Sequence, residues 1–348
     1  VYTVPLLEKG PDALRQINKE MGLGMDEWDI DFYFNLFTKE FKRNPTNVEC
    51  FQLGQANSEH CRHWFFKGAI SIDGVTMPKS LMDIVKSPLQ NRNRTSNSII
   101  AFSDNSSAIK GSIIETITPL DPGFASPFAR ISRHYLPIFT AETHNHPTMI
   151  EAFRGAETGT GGRIRDIQAT GRGGLVIAGT AGYCVGNLLI PDHNIPGESA
   201  DVKYPTTYRS PLRILVDASN GASDYGNKFG EPVINGFTRS FGLKLRSGER
   251  REWIKPIMFT GGIGQMDASQ VHKGDPQKGM LIIQIGGPAY RIGLGGGAAS
   301  SMMQGQNTEV LDFNSVQRGN GQVAQKVNRV IRACVEMGDY NPIVSIHD

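Results

Sequence analysis

The hydrophobic period of this chain changes from helical to strand-like near Trp64, and that change constrains the fold most strongly. Before it, apolar residues recur at helical spacing, as do Ile30, Phe34, Phe37 and Phe41. Thr46 followed by Glu49 is a capping box, which predicts the start of another helix. After it, β-prone runs predict strands, namely WFFKGAISIDGV, SIIAFS, YLPIFTAE, LVIAGTAGYCVGN and RILVDAS. The sequence therefore predicts a helical lead-in followed by an α+β domain.

A glycine-rich break at residues 259–265, FTGGIGQ, separates this region from a third segment. There MLIIQIGG and NPIVSIHD predict strands, GLGGGAASSM predicts the start of a helix, and QVAQKVNRVIRACVEMG places valines on one helical stripe. A length of 348 residues suits two domains, or two with a short extra piece. We therefore expect a helical linker at 1–63, an α+β domain at 64–265 and a truncated α/β domain at 266–348.

Composition argues against several classes of protein. The net charge is +2 and no basic run alternates with aromatic residues, so we expect no nucleic-acid partner. No apolar run approaches the roughly 18 residues that span a bilayer, so we expect no membrane partner. Cysteines 50, 61, 184 and 334 lie far apart, which gives no zinc knuckle and suits the reduced thiols of a cytoplasmic protein. Because the first residue is Val1, we expect a piece of a longer protein.

The stretch AETHNHPT, residues 141–148, concentrates polar chemistry at the end of a predicted strand. If the strand continues to Pro147, alternation places Glu142, His144 and His146 on one face. A strand face with these three side chains is typical of the edge of a catalytic or substrate-binding site. Two alternatives stay open: histidines that are merely hydrogen-bonded at a strand end, and a zinc site, which would need a further ligand that is absent at short spacing.

The segment GAETGTGGRIRD, residues 155–166, predicts an anion-binding loop. Its glycines could present successive backbone N–H groups to phosphate, and Arg163 and Arg165 add positive charge. The spacing fits neither a Walker A loop nor a dinucleotide-binding fingerprint, and a flexible turn remains the plain alternative. Glu142, Asp166 and Asp348 are hard oxygen donors that suit Mg²⁺ carried on substrate phosphates.

The helical string NSEHCRHWFFK contributes one more candidate. Glu59, His60 and Arg62 crowd a predicted helix end just before a strand, so His60 is either a site residue or part of a capped helix terminus. Cys61 has neither an identifiable base nor an oxyanion loop, and a buried, unreactive thiol is the better interpretation.

These strings resemble a known family when they are taken together and in order. They are QANSEHCRHWFFKG, AETHNHPT, GAETGTGGRIRD, TGRGG, SNGASDYGNKFGEP, KPIMFTGGIG, YRIGLGGGAASS, DFNSVQRGN and NPIVSIHD. The chain is similar to the formylglycinamide ribonucleotide amidotransferases, also called phosphoribosylformylglycinamidine synthases, in their large single-chain form. It would correspond to the linker and the first synthetase half, without the glutaminase domain.

The resemblance implies both a fold and a reaction. The fold would be that of aminoimidazole ribonucleotide synthetase: an α+β N-terminal domain whose strands pair with a partner copy, then an α/β C-terminal domain. The reaction would be that of a ligase of purine biosynthesis, in which ATP with Mg²⁺ phosphorylates the amide oxygen of formylglycinamide ribonucleotide and glutamine-derived ammonia displaces phosphate. The glutaminase domain and the second synthetase half of the longer chain would be the partners.

The resemblance also implies roles for individual residues. His144 would be the proton acceptor and His60 a further active-site residue. Substrate contacts would be Thr143, Asn145, His146, Arg165 and Gln317. Metal ligands would be Glu142, Asp166 and Asp348. The nucleotide-binding stretch would be Gly155, Ala156, Glu157, Thr158, Gly159, Thr160, Gly161, Gly162, Arg163, Ile164, Arg165 and Asp166.

Three rival interpretations stay open from the sequence. The chain could be a non-catalytic half that holds a nucleotide only to stabilise the assembly. It could instead be an ATP-dependent synthetase or kinase of the same superfamily that acts on another small substrate. A metal hydrolase built on His144 and His146 would require stoichiometric zinc.

Overall fold

The structure is a computed structural model that describes residues 1–90, 96–199, 203–204, 208–302 and 307–348. It divides into two compact units. Unit 1 comprises Val1–Thr95 and Tyr290–Gln317, and unit 2 comprises Ser96–Ala289 and Arg318–Asp348. The expected division at 63/64 and 265/266 stays a prediction about the longer protein.

Unit 1 is mainly helical, whereas unit 2 contains both helices and long strands. The α-helices are α1 Leu6–Lys9, α2 Asp12–Met21, α3 Glu27–Asn35, α4 Asn47–Ala56, α5 Glu59–Arg62, α6 Trp64–Lys67, α7 Leu81–Lys86, α8 Asn145–Ile150, α9 Ala152–Gln168, α10 Pro211–Phe229, α11 Gly296–Ser301, α12 Glu309–Ser315 and α13 Gly321–Glu336. A π-helical turn spans Leu36–Phe41, and 3-10 turns span Ser87–Gln90, Ala268–Gln270 and Gly338–Tyr340. The strands are β1 Ser71–Ile72, β2 Val75–Thr76, β3 Ser98–Ile100, β4 Ser107–Ile109, β5 Ser112–Pro119, β6 Phe128–Thr143, β7 Leu175–Val185, β8 Val233–Ser240, β9 Gly242–Lys244, β10 Arg250–Glu252 and β11 Ile257–Asp267.

The helical lead-in predicted from the sequence is confirmed in unit 1. Helix α2 ends at Gly22 in the left-handed conformation, and α4 begins with the predicted capping box between Thr46 and Glu49. The buried apolar side chains of these helices form one core. Its largest fully buried members are Leu6, Leu14, Leu23, Ile30 and Phe37.

Unit 2 is built on a seven-stranded sheet with the order β3-β4-β6-β11-β7-β8, and β5 also pairs with β6. The pairs are antiparallel except β7 with β8, which are parallel and connected through α10. Helix α9 packs on β6 and β11, and α10 packs on β7 and on α9. This mixture of helix and sheet confirms the predicted α+β class.

Several strand predictions are wrong in whole or in part. The first four residues of WFFKGAISIDGV form α6, and only the short strands β1 and β2 follow. RILVDAS lies in α10, where Ser210 caps the helix, Pro211 occupies its first turn, and buried Ile214 and Ala218 face the core. Seven residues are too few to distinguish the period of a strand from that of a helix. Over the full length of α10, the buried residues follow the helical period of 3.6. MLIIQIGG and NPIVSIHD form no strands: Ile282 is fully exposed, and neither segment pairs with a strand in the described part of the chain.

Candidate functional site

The AETHNHPT stretch is a strand-to-helix junction. Strand β6 ends at Thr143, His144 turns the chain with φ −123° and ψ 56°, and α8 starts at Asn145. The predicted alternation through Pro147 is therefore wrong beyond Thr143. Glu142 and Thr143 are exposed, His144 and Asn145 are half-buried, and His146 is buried at 4% exposure.

Hydrogen bonds fix the turn at residues 143–145, the His144 turn, to β11 and α9. The His144 backbone N–H donates to the Met258 carbonyl at 2.9 Å, and the Met258 N–H donates to Asn145 Oδ1 at 2.9 Å. His144 Nδ1 bonds to the Gly155 carbonyl oxygen. Because a carbonyl oxygen only accepts, Nδ1 carries the proton and Nε2 is the basic nitrogen of the neutral ring.

Residues 155–166 form the middle of α9, so the predicted anion-binding loop is wrong. A helical segment uses its N–H groups in the helix ladder, and these amides cannot form a phosphate nest. Thr158 and Thr160 also bond inside the helix, to the carbonyls of Arg154 at 2.5 Å and Ala156 at 3.0 Å. Nucleotide binding by this stretch stays a prediction, and it would have to use the exposed face of the helix, where Arg165 lies.

Close packing explains why α9 contains so many glycines. A Cβ at Gly155 would lie 2.5 Å from the Pro147 carbonyl carbon and 2.6 Å from Thr148 Cα. A Cβ at Gly159 would lie 2.8 Å from His144 Cβ, and one at Gly161 would lie 2.6 Å from the Tyr225 hydroxyl. The glycines therefore let the His144 turn and α10 approach the α9 backbone.

Replacing Gly155 with alanine tests this reading of the helix. The new methyl group meets backbone atoms, which cannot move aside by rotating a side chain, so we expect a loss of about 1–3 kcal/mol in the free energy of unfolding. Gly162 is the matched control, because its nearest neighbour would be Arg165 Nη2 at 3.6 Å. Gly162→Ala should be neutral or stabilise the helix by up to about 1 kcal/mol. Equal denaturation midpoints for the two variants would contradict the packing role.

Arg163 does not reach solvent, contrary to its predicted place beside a phosphate. Its guanidinium is fully buried, donates to both Glu231 carboxylate oxygens, with Nη2 to Oε2 at 2.7 Å, and donates from Nε to Thr260 Oγ1 at 3.2 Å. Gly179 and Gly262 leave room for it between α9 and the sheet. Arg163 is therefore a structural residue of the core of unit 2.

The three predicted metal-ligand acids come together. Glu142 and Asp166 share a side-chain hydrogen bond, and Asp348 acts on both electrostatically. Desolvation raises the pKa of Asp166 to about 7, Asn105 opposes this shift, and the charges of Glu142 and Asp348 add to it. Desolvation likewise raises the pKa of Glu142. Because the folded chain holds the Asp166 proton more tightly than the unfolded chain, ionising this carboxyl destabilises the fold as pH rises from about 4 through 7.

Arg165 supplies positive charge at this acid cluster of Glu142, Asp166 and Asp348. Its Nε donates to Asp348 Oδ1 at 2.6 Å, and both side chains remain partly exposed. Arg172 of the TGRGG string also holds the segment that leads to Asp348, because it donates to the carbonyls of Ile343 and Asn341 at 2.7 Å each. This role of Arg172 could not be predicted from the sequence, because its partners lie about 170 residues further along the chain.

The acid cluster is not a closed metal cage. Within the described ranges, no group of three or more His, Cys, Asp or Glu side chains is arranged to hold a metal ion by itself. This gives no support to the zinc site considered for His144 and His146. An open cluster is nevertheless compatible with a cation that is held partly by phosphate oxygens.

His60 and Gln317 belong to unit 1, whereas the His144 turn and the acid cluster belong to unit 2. His60 is exposed and its backbone N–H donates to Ser301 Oγ at 3.2 Å. The neighbouring Glu59 carboxylate accepts from the N–H groups of Trp64 and Phe65 at 2.9 and 3.1 Å. The roles of His60 and Gln317 stay predictions.

Comparison with known proteins identifies relatives of the chain. The chain is 58% identical over its whole length to the probable phosphoribosylformylglycinamidine synthase, chloroplastic/mitochondrial, of Arabidopsis thaliana. It is 54% identical over 99% of its length to the phosphoribosylformylglycinamidine synthase of Homo sapiens. Over its whole length the chain is therefore similar to phosphoribosylformylglycinamidine synthases.

The chain spans about a quarter of the length of its curated relatives, 25% of the Arabidopsis protein and 26% of the human one. Residues 14–63 match the family model of the formylglycinamide ribonucleotide amidotransferase linker domain. A solved structure of T. maritima PurL complexed with FGAR superposes with a TM-score of 0.51 at 21% identity, covering 88% of this chain and 38% of that one. That likeness supports the fold.

Proposed function

We propose that this chain is the linker and first synthetase half of a phosphoribosylformylglycinamidine synthase, an ATP-dependent C–N ligase of purine biosynthesis. Its reaction would convert formylglycinamide ribonucleotide to formylglycinamidine ribonucleotide, with glutamine-derived ammonia replacing the phosphorylated amide oxygen. The observation that carries the proposal is 58% identity over the whole chain to a synthase of that name. The acid cluster beside the His144 turn supports it.

ATP and Mg²⁺ are the cofactors in this proposal. Glu142, Asp166 and Asp348 offer hard oxygen donors, and their mutual repulsion would fall if a cation bound among them. Mg²⁺ usually uses one or two protein carboxylates together with phosphate oxygens, which suits an open cluster better than a closed cage. When bound, the ion would neutralise charge on the transferring phosphoryl group. Arg165, at the exposed face of α9, would hold a phosphate oxygen.

His144 is the proton acceptor in the proposal. Its Nδ1 is committed to the Gly155 carbonyl, so Nε2 is the nitrogen that would take a proton as ammonia attacks the activated amide. Thr143 and Asn145 flank it and would contact the substrate, as would Arg165 and His146. Gln317 is a separate proposed substrate contact. The bond from the Met258 N–H to Asn145 Oδ1 holds the turn in place for this task.

The second synthetase half and the glutaminase domain of a longer chain are the proposed partners. Strand β5 and the start of β6 leave large apolar side chains in solvent, with Ile113 at 73%, Ile117 at 63% and Phe128 at 68% exposure. An exposed apolar edge of this kind is typical of an interaction surface. We propose that the second half covers it.

We propose no nucleic-acid or membrane partner for this chain. A net charge of +2 is not typical of a protein that binds a phosphate backbone. No helix of the described residues is long and apolar enough to cross a bilayer. Cys50, Cys184 and Cys334 are free thiols, which suits the reducing cytoplasm that we propose. Imaging the tagged full-length protein would test this location, because the Arabidopsis relative carries an organellar name.

Magnesium dependence in the full-length protein tests the proposed function. We expect wild-type protein to release ADP when formylglycinamide ribonucleotide is added, and not with other ribonucleotides. Glu142→Gln should raise the Mg²⁺ concentration for half-maximal ADP release by at least about tenfold, because it removes a charged oxygen donor. Glu249→Gln is the matched control, since Glu249 lies exposed between β9 and β10, in an ion pair with Arg251.

The outcomes separate the rival functions. ADP release that another ribonucleotide stimulates equally would favour a different synthetase or kinase. Unchanged turnover in Glu142→Gln, with nucleotide still bound to this half, would favour a structural nucleotide and a non-catalytic role. Stoichiometric zinc in the purified protein would favour a metal hydrolase.

A further inference from the structure

The loop between β3 and β4 contacts the acid cluster directly. Asn105 Nδ2 donates a hydrogen bond of 3.2 Å to Asp166 Oδ1. Asn105 is half-buried and Asp166 is 8% exposed, so the bond lies at the margin of the buried region. A carboxylate that accepts a fixed hydrogen bond at one oxygen loses much of its freedom to rotate. Its orientation toward Glu142 is then set by the loop.

The same loop is anchored on its other side. Asp104 Oδ2 accepts from the Gly171 N–H at 2.9 Å, and Asp104 Oδ1 accepts from Lys273 Nζ at 2.6 Å. The Asp104 and Lys273 side chains are only 8% and 17% exposed, so this ion pair is shielded from water. The Asn105 N–H donates to Asp104 Oδ1 at 2.8 Å. The backbone at Asn105 is therefore held in place. Gly171 of the TGRGG string is one of the residues that hold this loop.

We propose that Asn105 is a positioning residue that orients the Asp166 carboxylate for binding a divalent cation. The inference rests on the proposed function, because it requires Asp166 to be a metal ligand. Hydrogen bonds that orient ligating carboxylates change metal affinity by about 10–100-fold when they are removed. Asn105 itself need not touch the metal or the substrate.

Binding of Mn²⁺ to the full-length protein in the presence of ADP, followed by electron paramagnetic resonance, tests the proposal without measuring turnover. Asn105→Ala should raise the Kd for Mn²⁺ at this site by about tenfold. Its thermal midpoint in metal-free buffer should stay close to that of wild type, because Asn105 is only half-buried. Asn105→Ser, whose shorter hydroxyl cannot span the same distance, should repeat the loss and serves if the alanine variant folds poorly.

A double variant shows whether Asn105 acts through Asp166. Asn105→Ala combined with Asp166→Asn should bind Mn²⁺ no more weakly than Asp166→Asn alone, because the bond has then lost its function. A further loss in the double variant would overturn the positioning role. Normal affinity in Asn105→Ala, together with weak affinity in Asp166→Asn, would overturn this inference alone. Normal affinity in Asp166→Asn would instead remove Asp166 from the proposed metal site, and the inference with it.

Discussion

Replacing His144 with alanine in the full-length protein is expected to lower kcat for amidine formation by about 10²–10⁴-fold. The reason is that the variant removes the Nε2 base, and with it the ring's bond to the Gly155 carbonyl, while the backbone bond to Met258 remains. KM for formylglycinamide ribonucleotide should change much less than kcat, because the proposed binding contacts come from neighbouring residues. Steady-state assays of amidine and ADP formation measure both constants.

His193→Ala is the matched control for this variant. His193 lies exposed in the loop after β7, in the same unit as His144, and has no part in the proposed chemistry. It should retain wild-type kcat. Circular dichroism melting of both variants would show that each is folded. If His144→Ala kept normal turnover and bound ATP normally, the proton-acceptor role would be wrong and the structural-nucleotide alternative would gain support.

The parts of the fold that depend on local signals could be predicted from the sequence. The capping box at Thr46, the glycine that ends α2 at Gly22 and the helical period of α13 each act within one or two turns of chain. The local structure at these positions is therefore determined by residues that are close in the sequence. RILVDAS failed because seven residues do not contain enough turns to reveal a helical period that continues to Phe229.

The glycines of α9 could not be explained from the sequence because tertiary contacts require them. Glycine lowers helix propensity, so a segment rich in it predicts a loop. Here the cost is offset by contacts that only glycine permits, with α8 at Gly155, with His144 at Gly159 and with Tyr225 at Gly161. Residue chemistry and the resemblance both predicted Glu142, Asp166 and Asp348 as metal ligands, and the structure places these acids together. The contact of Asn105 with the acid cluster could not be predicted because Asn105 lies 61 residues from its partner Asp166.

Replacing Glu231 with alanine should lower the free energy of unfolding by about 3–5 kcal/mol. The substitution leaves the Arg163 guanidinium fully buried without the carboxylate that accepts its two Nη donors. The remaining bond to Thr260 cannot compensate a buried charge. Urea titration of the chain, followed by circular dichroism, gives the change in unfolding free energy. Asp217→Ala, which breaks the exposed pair with Arg213 on α10, should cost less than about 1 kcal/mol.

An apolar replacement of both partners separates the cost of the orphaned charge from the value of the ion pair. Arg163→Met combined with Glu231→Leu removes both charges and keeps most of the buried volume, so we expect it to be clearly more stable than Glu231→Ala alone. Should the double variant be as unstable as the single one, the shape of the pair between Gly179 and Gly262 would matter more than its charge. Should Glu231→Ala prove nearly neutral, water must reach Arg163, and its burial in the core of unit 2 would be wrong.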